Sequence, residues 1–173
     1  CTPDELRVML EAEGVTVTAV DELDYAFVIS GFDYLNGLQS FRDGLFYVQD
    51  ISSMLVAQTA APKKGDYVID VCAAPGGKST HIAELLQGSG HVLARDLTDN
   101  KVDMIEENIE RHGLNNMSAE VWDATVFDAD SAGKADILIC DLPCSGLGVL
   151  GRKKDIRYKM TPESVDELSL IHI

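Results

Sequence analysis

Asp70-Val71-Cys72-Ala73-Ala74-Pro75-Gly76-Gly77-Lys78-Ser79-Thr80 follows directly on the apolar run Tyr67-Val68-Ile69, and its reading decides the fold. A short apolar run that passes through small residues into the helical pattern of Ser79–Gln87 predicts strand, tight turn, helix. Glycine and alanine let the backbone approach a ligand closely, and the start of the helix offers N–H groups and a partial positive charge to an anion. Two phosphate signatures fail here. A P-loop needs glycine six positions before Lys78, where Cys72 stands, and Pro75 has no N–H to give. The spacing G-x-G-x-x-G does not occur. An anion smaller than a triphosphate, such as an amino-acid carboxylate, fits what remains; a tight turn without a ligand is the plain alternative.

Downstream the texture is regular. Strands are predicted at Tyr67–Val71, His91–Arg95, Ser118–Trp122 and Ala135–Cys140, with helices at Ser79–Gln87 and Asp99–His112 closed by Gly88 and Gly113. Strands alternating with helices imply βαβ units, hence an open parallel sheet of the α/β, Rossmann-like class. Ligands in such sheets sit beyond the carboxyl ends of the strands. An acid stands at or just after each end: Asp70, Asp96, Asp123 and Asp141. Asp96, 20 residues beyond Gly76, suits the two hydroxyls of a ribose. Asp123 suits an adenine amino group. Any one of these acids could be a solvated loop residue, but together they describe a site for an adenosine with a charged amino-acid tail, which is S-adenosylmethionine.

Upstream, Thr2, Pro3 and Glu5 form a capping box at the start of a helix over 4–13 that stops at Gly14. Strands are expected at Val15–Val20, Ala26–Ser30 and Gly44–Gln49. Residues 1–50 therefore form a small α+β lobe, and the apolar helix Ile51–Ala61 opens a second domain, 51–173. The chain starts at Cys1 and closes on Leu168-Ser169-Leu170-Ile171-His172-Ile173, a few residues into another capped helix. It is expected to be a piece of a longer protein.

With 46% hydrophobic residues among 173, the chain can bury a real core. Fourteen basic against 29 acidic residues give a net charge of −15, which excludes a surface that binds nucleic acid throughout, though not a local basic patch. No apolar run reaches the roughly 20 residues of a membrane span, and no secretory signal opens the chain. Four irregularly spaced cysteines do not make a disulfide scaffold. A cytoplasmic monomer without membrane or metal is expected.

Cys144 follows Asp141-Leu142-Pro143 and has three readings. It could be an inert buried thiol, or half of a metal pair with Cys140, which lacks further ligands. As a reactive thiol facing the cofactor it suits attack on C6 of a cytosine, after which C5 can take a methyl group. Arg152, Lys153, Lys154, Arg157 and Lys159 lie within eight positions of an otherwise acidic chain, either as a solvated loop or as a phosphate-contacting strip. An enzyme acting on a base must unstack it, and backbone contacts hold the strand meanwhile. His81, His91, His112 and His172 read as structural, and Trp122 as core.

Asp70-x-Cys72-Ala-Ala-Pro-Gly-Gly-Lys78 followed by Asp141-Leu-Pro-Cys144-Ser-Gly-Leu-Gly148 resembles the RNA cytosine-5 methyltransferases of the RsmB (Sun/Fmu) type. Gly44–Asp50 with Ser52-Ser53-Met54, and Arg157-Tyr158 before Thr161-Pro162-Glu163, look like the same group, so the resemblance runs over about residues 1–167. It implies a class I methyltransferase fold, truncated here, and methylation of C5 of a cytosine in small-subunit ribosomal RNA. Transfer RNA as substrate and a non-catalytic RNA-binding scaffold are the alternatives. By position, Cys72, Ala73, Ala74, Pro75, Gly76, Gly77 and Lys78 would hold the methionine part of the cofactor. Asp96 would take the ribose and Asp123 the adenine side, with Asp141 at the junction of cofactor and cytosine. The resemblance makes Cys144 a thiol that assists product release and puts the nucleophile in a later Thr-Cys-Ser motif, which this sequence lacks. These residues alone are expected to bind cofactor and not to turn over. Two further departures are an unpaired edge on the strand before Asp141 and a closing Ser-Leu-Ile-His-Ile unlike the polar helix implied there.

Overall fold

The computed structural model describes residues 1–146, 151, 155–159 and 161–172. Helix α1 (Pro3–Ala12) starts as its sequence requires: the Thr2 hydroxyl accepts the Glu5 N–H, and the Glu5 carboxylate accepts the Thr2 N–H. Strands β1 (Thr16–Val20) and β2 (Leu23–Ser30) form an antiparallel hairpin. A 3-10 turn (Leu35–Gly37) and the short α2 (Gln39–Arg42) follow. Leu6, Leu10, Val15 and Leu38 are the buried centre of this part, with Phe27, Phe41 and Phe46 packed around them.

The expected strand Gly44–Gln49 is not one. Among the described residues the segment has no strand partner, and side chains at the end of a later helix reach its Gly44 and Phe46 carbonyls. Arg111 Nη1 donates to the oxygens of Phe41 and Phe46, each at 3.3 Å, and His112 Nδ1 lies 2.8 Å from the Gly44 oxygen. Alternating Leu45, Tyr47 and Gln49 satisfied the period of a strand, but a ladder needs a second backbone, and here a helix end takes its place.

Helix α3 (Ile51–Ala60) ends at Ala61 in the left-handed conformation, before Pro62. Then come β3 (Tyr67–Asp70), α4 (Gly77–Leu85), β4 (His91–Asp96), α5 (Asp99–His112), β5 (Met117–Val121) and β6 (Ile137–Ile139). The four strands are parallel in the order β5-β4-β3-β6. The chain runs outward from β3 to β5, then returns to the other side of β3, so the order reverses between β3 and β6. That reversal opens a crevice at the carboxyl ends of the strands. Val68, Val92 and Ala94 of the central strands pack with Ile82, Ala83 and Leu86 around α4 and with Ile105 of α5. Among the described residues β6 is a sheet edge, and its Leu138 is 58% exposed. The short α6 (Ile156–Lys159) and α7 (Pro162–His172) close the described chain. No helix among the described residues is long and apolar enough to cross a membrane.

Candidate functional site

A cavity of about 560 Å3 opens at this crevice. Cys72 and Ala74 after β3, Asp96 and Leu97 at the end of β4, Trp122 to Thr125 after β5, and Asp141 and Pro143 after β6 line it. Ser164, Glu167, Leu168 and Ile171 of α7 form a further wall. The volume is that of a site for a small organic ligand.

Asp70 lies beneath the cavity, 1% exposed. Its carboxylate accepts the Ser79 hydroxyl at 2.6 Å and the Cys72 N–H at 3.4 Å, tying the turn to the first residues of α4. Burial raises its pKa, against the lowering effect of Ser79 and Cys72. The folded protein therefore holds this proton more tightly than the unfolded chain, and stability from this group falls as pH rises through the window above about 3.9. Asp70→Asn keeps the shape and removes the titration. Its unfolding midpoint is expected to gain on the wild type between about pH 4 and pH 7, which thermal scans at both pH values would measure. A difference that did not change with pH would contradict the assignment.

Asp96 is 3% exposed and carries the opposite shift. Burial opposes its ionisation, but Lys101 Nζ at 2.7 Å, the Leu97 N–H at 2.8 Å and the Ala74 N–H at 3.0 Å outweigh that and hold its pKa low. It is thus an anion at the cavity wall that also fixes the turn through Ala74. Lys101, in the first turn of α5, was not singled out by sequence. The only signal would have been its place five residues after the acid.

Asp123 is exposed at the rim, and its Oδ1 accepts both the N–H and the hydroxyl of Thr125, which lowers its pKa. Asp141 pairs with Lys78 Nζ at 2.5 Å, so the first turn of α4 and the residue after β6 meet across the crevice. Trp122 is not core. It is half-buried on the cavity wall, with the Arg95 guanidinium 4.8 Å from its ring centroid and its indole N–H on the Val126 oxygen at 3.2 Å. Its apolar surface argued for the interior, but its place after the last ladder residue of β5 puts it at the rim.

The glycine turn divides. Cys72 and Ala74 line the cavity, whereas Ala73 is buried in the sheet core, and Pro75, Gly76, Gly77 and Lys78 stand outside the lining. Pro75 gives its oxygen to the Asn108 amide of α5 at 2.8 Å, and Gly76 packs on Ile105. Helix α4 starts at Gly77, two residues before the expected Ser79.

Burial raises the Cys72 thiol to about 11, with Asp96 and Asp70 adding to the effect. Burial also raises Cys140, so neither is a thiolate at neutral pH. Cys140 is exposed, just beyond β6, which among the described residues is a sheet edge. Cys144 is exposed beside Pro143 and is not among the cavity-lining residues. Among the described residues no cluster of three or more His, Cys, Asp or Glu could hold a metal. Arg152, Lys153 and Lys154 lie outside the described residues; Arg157 and Lys159 lie in α6.

A family model described as "16S rRNA methyltransferase RsmB/F" matches residues 57–172, which includes most of the closing segment. A relative from Bacillus subtilis (strain 168), "Probable ribosomal RNA small subunit methyltransferase B", is 39% identical over 171 residues, covering 98% of this chain and 38% of its own. A "tRNA (cytosine(72)-C(5))-methyltransferase" from Pyrococcus horikoshii is 44% identical over 115 residues, covering 66% of this chain and 29% of its own. The crystal structure of a "Methyltransferase Homolog Protein" from the same organism superposes with a TM-score of 0.73 at 27% identity, over 91% of this chain and 52% of that one. The chain thus spans under two fifths of the length of these two curated relatives. The sheet with its flanking helices is the Rossmann-like class I methyltransferase fold. With the match running over more than half its length and through the acids at the ends of β4 and β6, this chain belongs to the 16S rRNA methyltransferase RsmB/F family.

Proposed function

We propose that these residues are the cofactor-binding part of an enzyme that methylates C5 of a cytosine in small-subunit ribosomal RNA, with S-adenosylmethionine as methyl donor. The observation that carries this reading is the cavity walled by Asp96, Asp123 and Asp141 at the reversal of the strand order. Its volume and its acids fit an adenosine with an amino-acid tail: an anion at β4 for ribose hydroxyls and a rim carboxylate for an amino group, with the Cys72–Ala74 turn beside them. S-adenosylmethionine supplies, when bound, a methyl group on a positively charged sulfur.

Each residue then has a physical task. Asp96 accepts the ribose hydroxyls, and Lys101, 52% exposed, can swing aside to solvent as it does so. Asp123 is aimed by Thr125 toward the adenine side. Cys72 to Lys78 form the turn beside the methionine end, which Asp70 braces from below. Lys78 holds Asp141 at the place where cofactor and cytosine meet, and Cys144, three residues on, assists release of the product. Arg152, Lys153, Lys154, Arg157 and Lys159 hold the RNA backbone. Residues 1–50 form a separate lobe beside the methyltransferase domain, 51–173. Cys144 is the last cysteine of the sequence, so these residues alone are expected to bind cofactor and not to methylate RNA. The identity of the archaeal relative favours a second reading, a transfer RNA cytosine as target.

A thermal unfolding scan of the 173-residue chain with and without S-adenosylmethionine tests the cofactor reading. Ligand at about 100 times its dissociation constant stabilises a fold by roughly 2.7 kcal/mol, which for a chain of this size raises the midpoint by roughly 5–10 °C. A cooperative transition that ignores the ligand at millimolar concentration would refute it.

A further inference from the structure

Arg95 sits on β4 one residue before the ribose acid, yet it is not part of the cavity. It is 6% exposed and makes four contacts with one planar group. Nε donates to Glu120 Oε1 at 2.6 Å, its partner in the β4–β5 ladder. Nη2 donates to Asp128 Oδ2 at 2.7 Å and to the Ser131 hydroxyl at 3.1 Å, and the guanidinium stacks on Trp122. Trp122, Asp128 and Ser131 all belong to the loop between β5 and β6, and Trp122, Asp123, Ala124 and Thr125 of that loop line the cavity.

We infer that Arg95 is a positioning residue that fixes this loop from behind and thereby sets the preference of the cavity for an adenine base. The inference rests on the cofactor reading above.

The middle of the loop is tied to the loop itself: the Val126 N–H donates to the Asp123 oxygen at 2.9 Å and the Trp122 indole N–H to the Val126 oxygen at 3.2 Å. Trp122 N–H donates to the Asp96 oxygen at 2.9 Å, which fixes the near end, and Asp128 Oδ1 accepts the N–H groups of Asp130 and Ser131, which closes a turn at the far end. Between these points Val126 and Phe127 are 54% and 81% exposed and contribute no core packing. Beyond the backbone bonds of Trp122 to Asp96 and of Asp136 to Tyr67 at 2.8 Å, Arg95 ties both Trp122 and the Asp128–Ser131 turn to the sheet with one side chain. A planar fork can reach two carboxylates and cover an indole at once, which a point charge on a flexible stem cannot do. The Ser131 hydroxyl and Arg95 hold Asp128 at a pKa of about 2, so the pairing persists across the physiological range. Fixing the loop fixes the carboxylate of Asp123 relative to Asp96. A 6-amino group would be read against a 6-oxo group by that geometry, because the first donates to a carboxylate and the second repels it.

Isothermal titration with S-adenosylhomocysteine and with S-inosylhomocysteine, whose bases differ in the 6-substituent and in the proton on N1, tests this. Asp128→Asn, on the loop and away from the core, is expected to weaken S-adenosylhomocysteine about tenfold while S-inosylhomocysteine changes by less than about twofold. Arg95→Lys is expected to lose part of the same discrimination, since it keeps the charge but not the fork. Equal weakening of both ligands, or no change in either, would overturn the inference and leave the cofactor reading intact. Failure of the unsubstituted chain to bind either ligand would overturn both, and it is seen before any substitution is made.

Discussion

Replacing Asp96 by alanine is expected to reduce affinity for S-adenosylmethionine by at least about 100-fold, because hydrogen bonds to a charged acceptor are worth roughly 1.5–3 kcal/mol each and two ribose hydroxyls lose theirs. The substitution also frees the Ala74 and Leu97 N–H groups, which now end on the carboxylate, and the turn below the cavity loosens. Titration calorimetry at neutral pH measures the loss. Lys101→Ala is the control: it removes the charged partner of Asp96 without touching the acceptor, and binding should stay within about threefold of wild type. An Asp96→Ala chain that bound normally would remove the ribose assignment. The variant should also differ in acid. The folded pKa of Asp96 lies below its unfolded value, so its contribution to stability is present above about pH 3.9 and is lost as pH falls toward the folded value. Without the carboxylate, that part of the acid limb disappears.

Gly44→Ala is expected to cost about 4 kcal/mol, a rare magnitude for a single methyl group. Gly44 has a φ of +68°, and a Cβ built there would stand 1.9 Å from the Arg111 backbone oxygen and 2.7 Å from its carbonyl carbon. Both obstacles are backbone, so no rotamer change relieves them. The end of α5 would have to retreat, taking with it the Arg111 bonds to Phe41 and Phe46 and the stacking of Arg111 on Phe41 at 4.2 Å. For a chain of this size the midpoint falls by roughly 8–16 °C in a thermal scan. Gly133→Ala separates strain from collision: its φ is +72° but nothing lies within 4 Å of the added carbon, and about 1 kcal/mol is expected. Equal costs at the two positions would show that the close approach at Gly44 is relieved at no expense.

Gly44 also marks where periodicity misleads. The stretch from Gly44 to Gln49 alternates as a strand does, but its Phe46 and Gly44 carbonyls are met by Arg111 and His112 of α5, 65 and 68 residues away. Alternation states which side chains share a face. It says nothing about what answers the backbone. Trp122 fails for a related reason. Its bulk argues for burial, yet it follows the last residue of β5, and position along the strand outweighs hydrophobicity when the strand ends at a crevice.

Sequence alone determined the parallel α/β sheet, the turn after β3 and the acids after β4, β5 and β6. Each is a local property, set by a strand's apolar run and by what must follow its carboxyl end. Only the tertiary structure decided which of those residues meet. It put Lys101 on Asp96, joined Lys78 to Asp141 across the crevice and left Cys144 out of the cavity lining. It also placed Arg95 behind the loop whose front carries Asp123. Apart from Lys101 on Asp96, these contacts join residues far apart in the chain. Their geometry depends on strand order and on how helices seat on the sheet, neither of which leaves a period in the sequence.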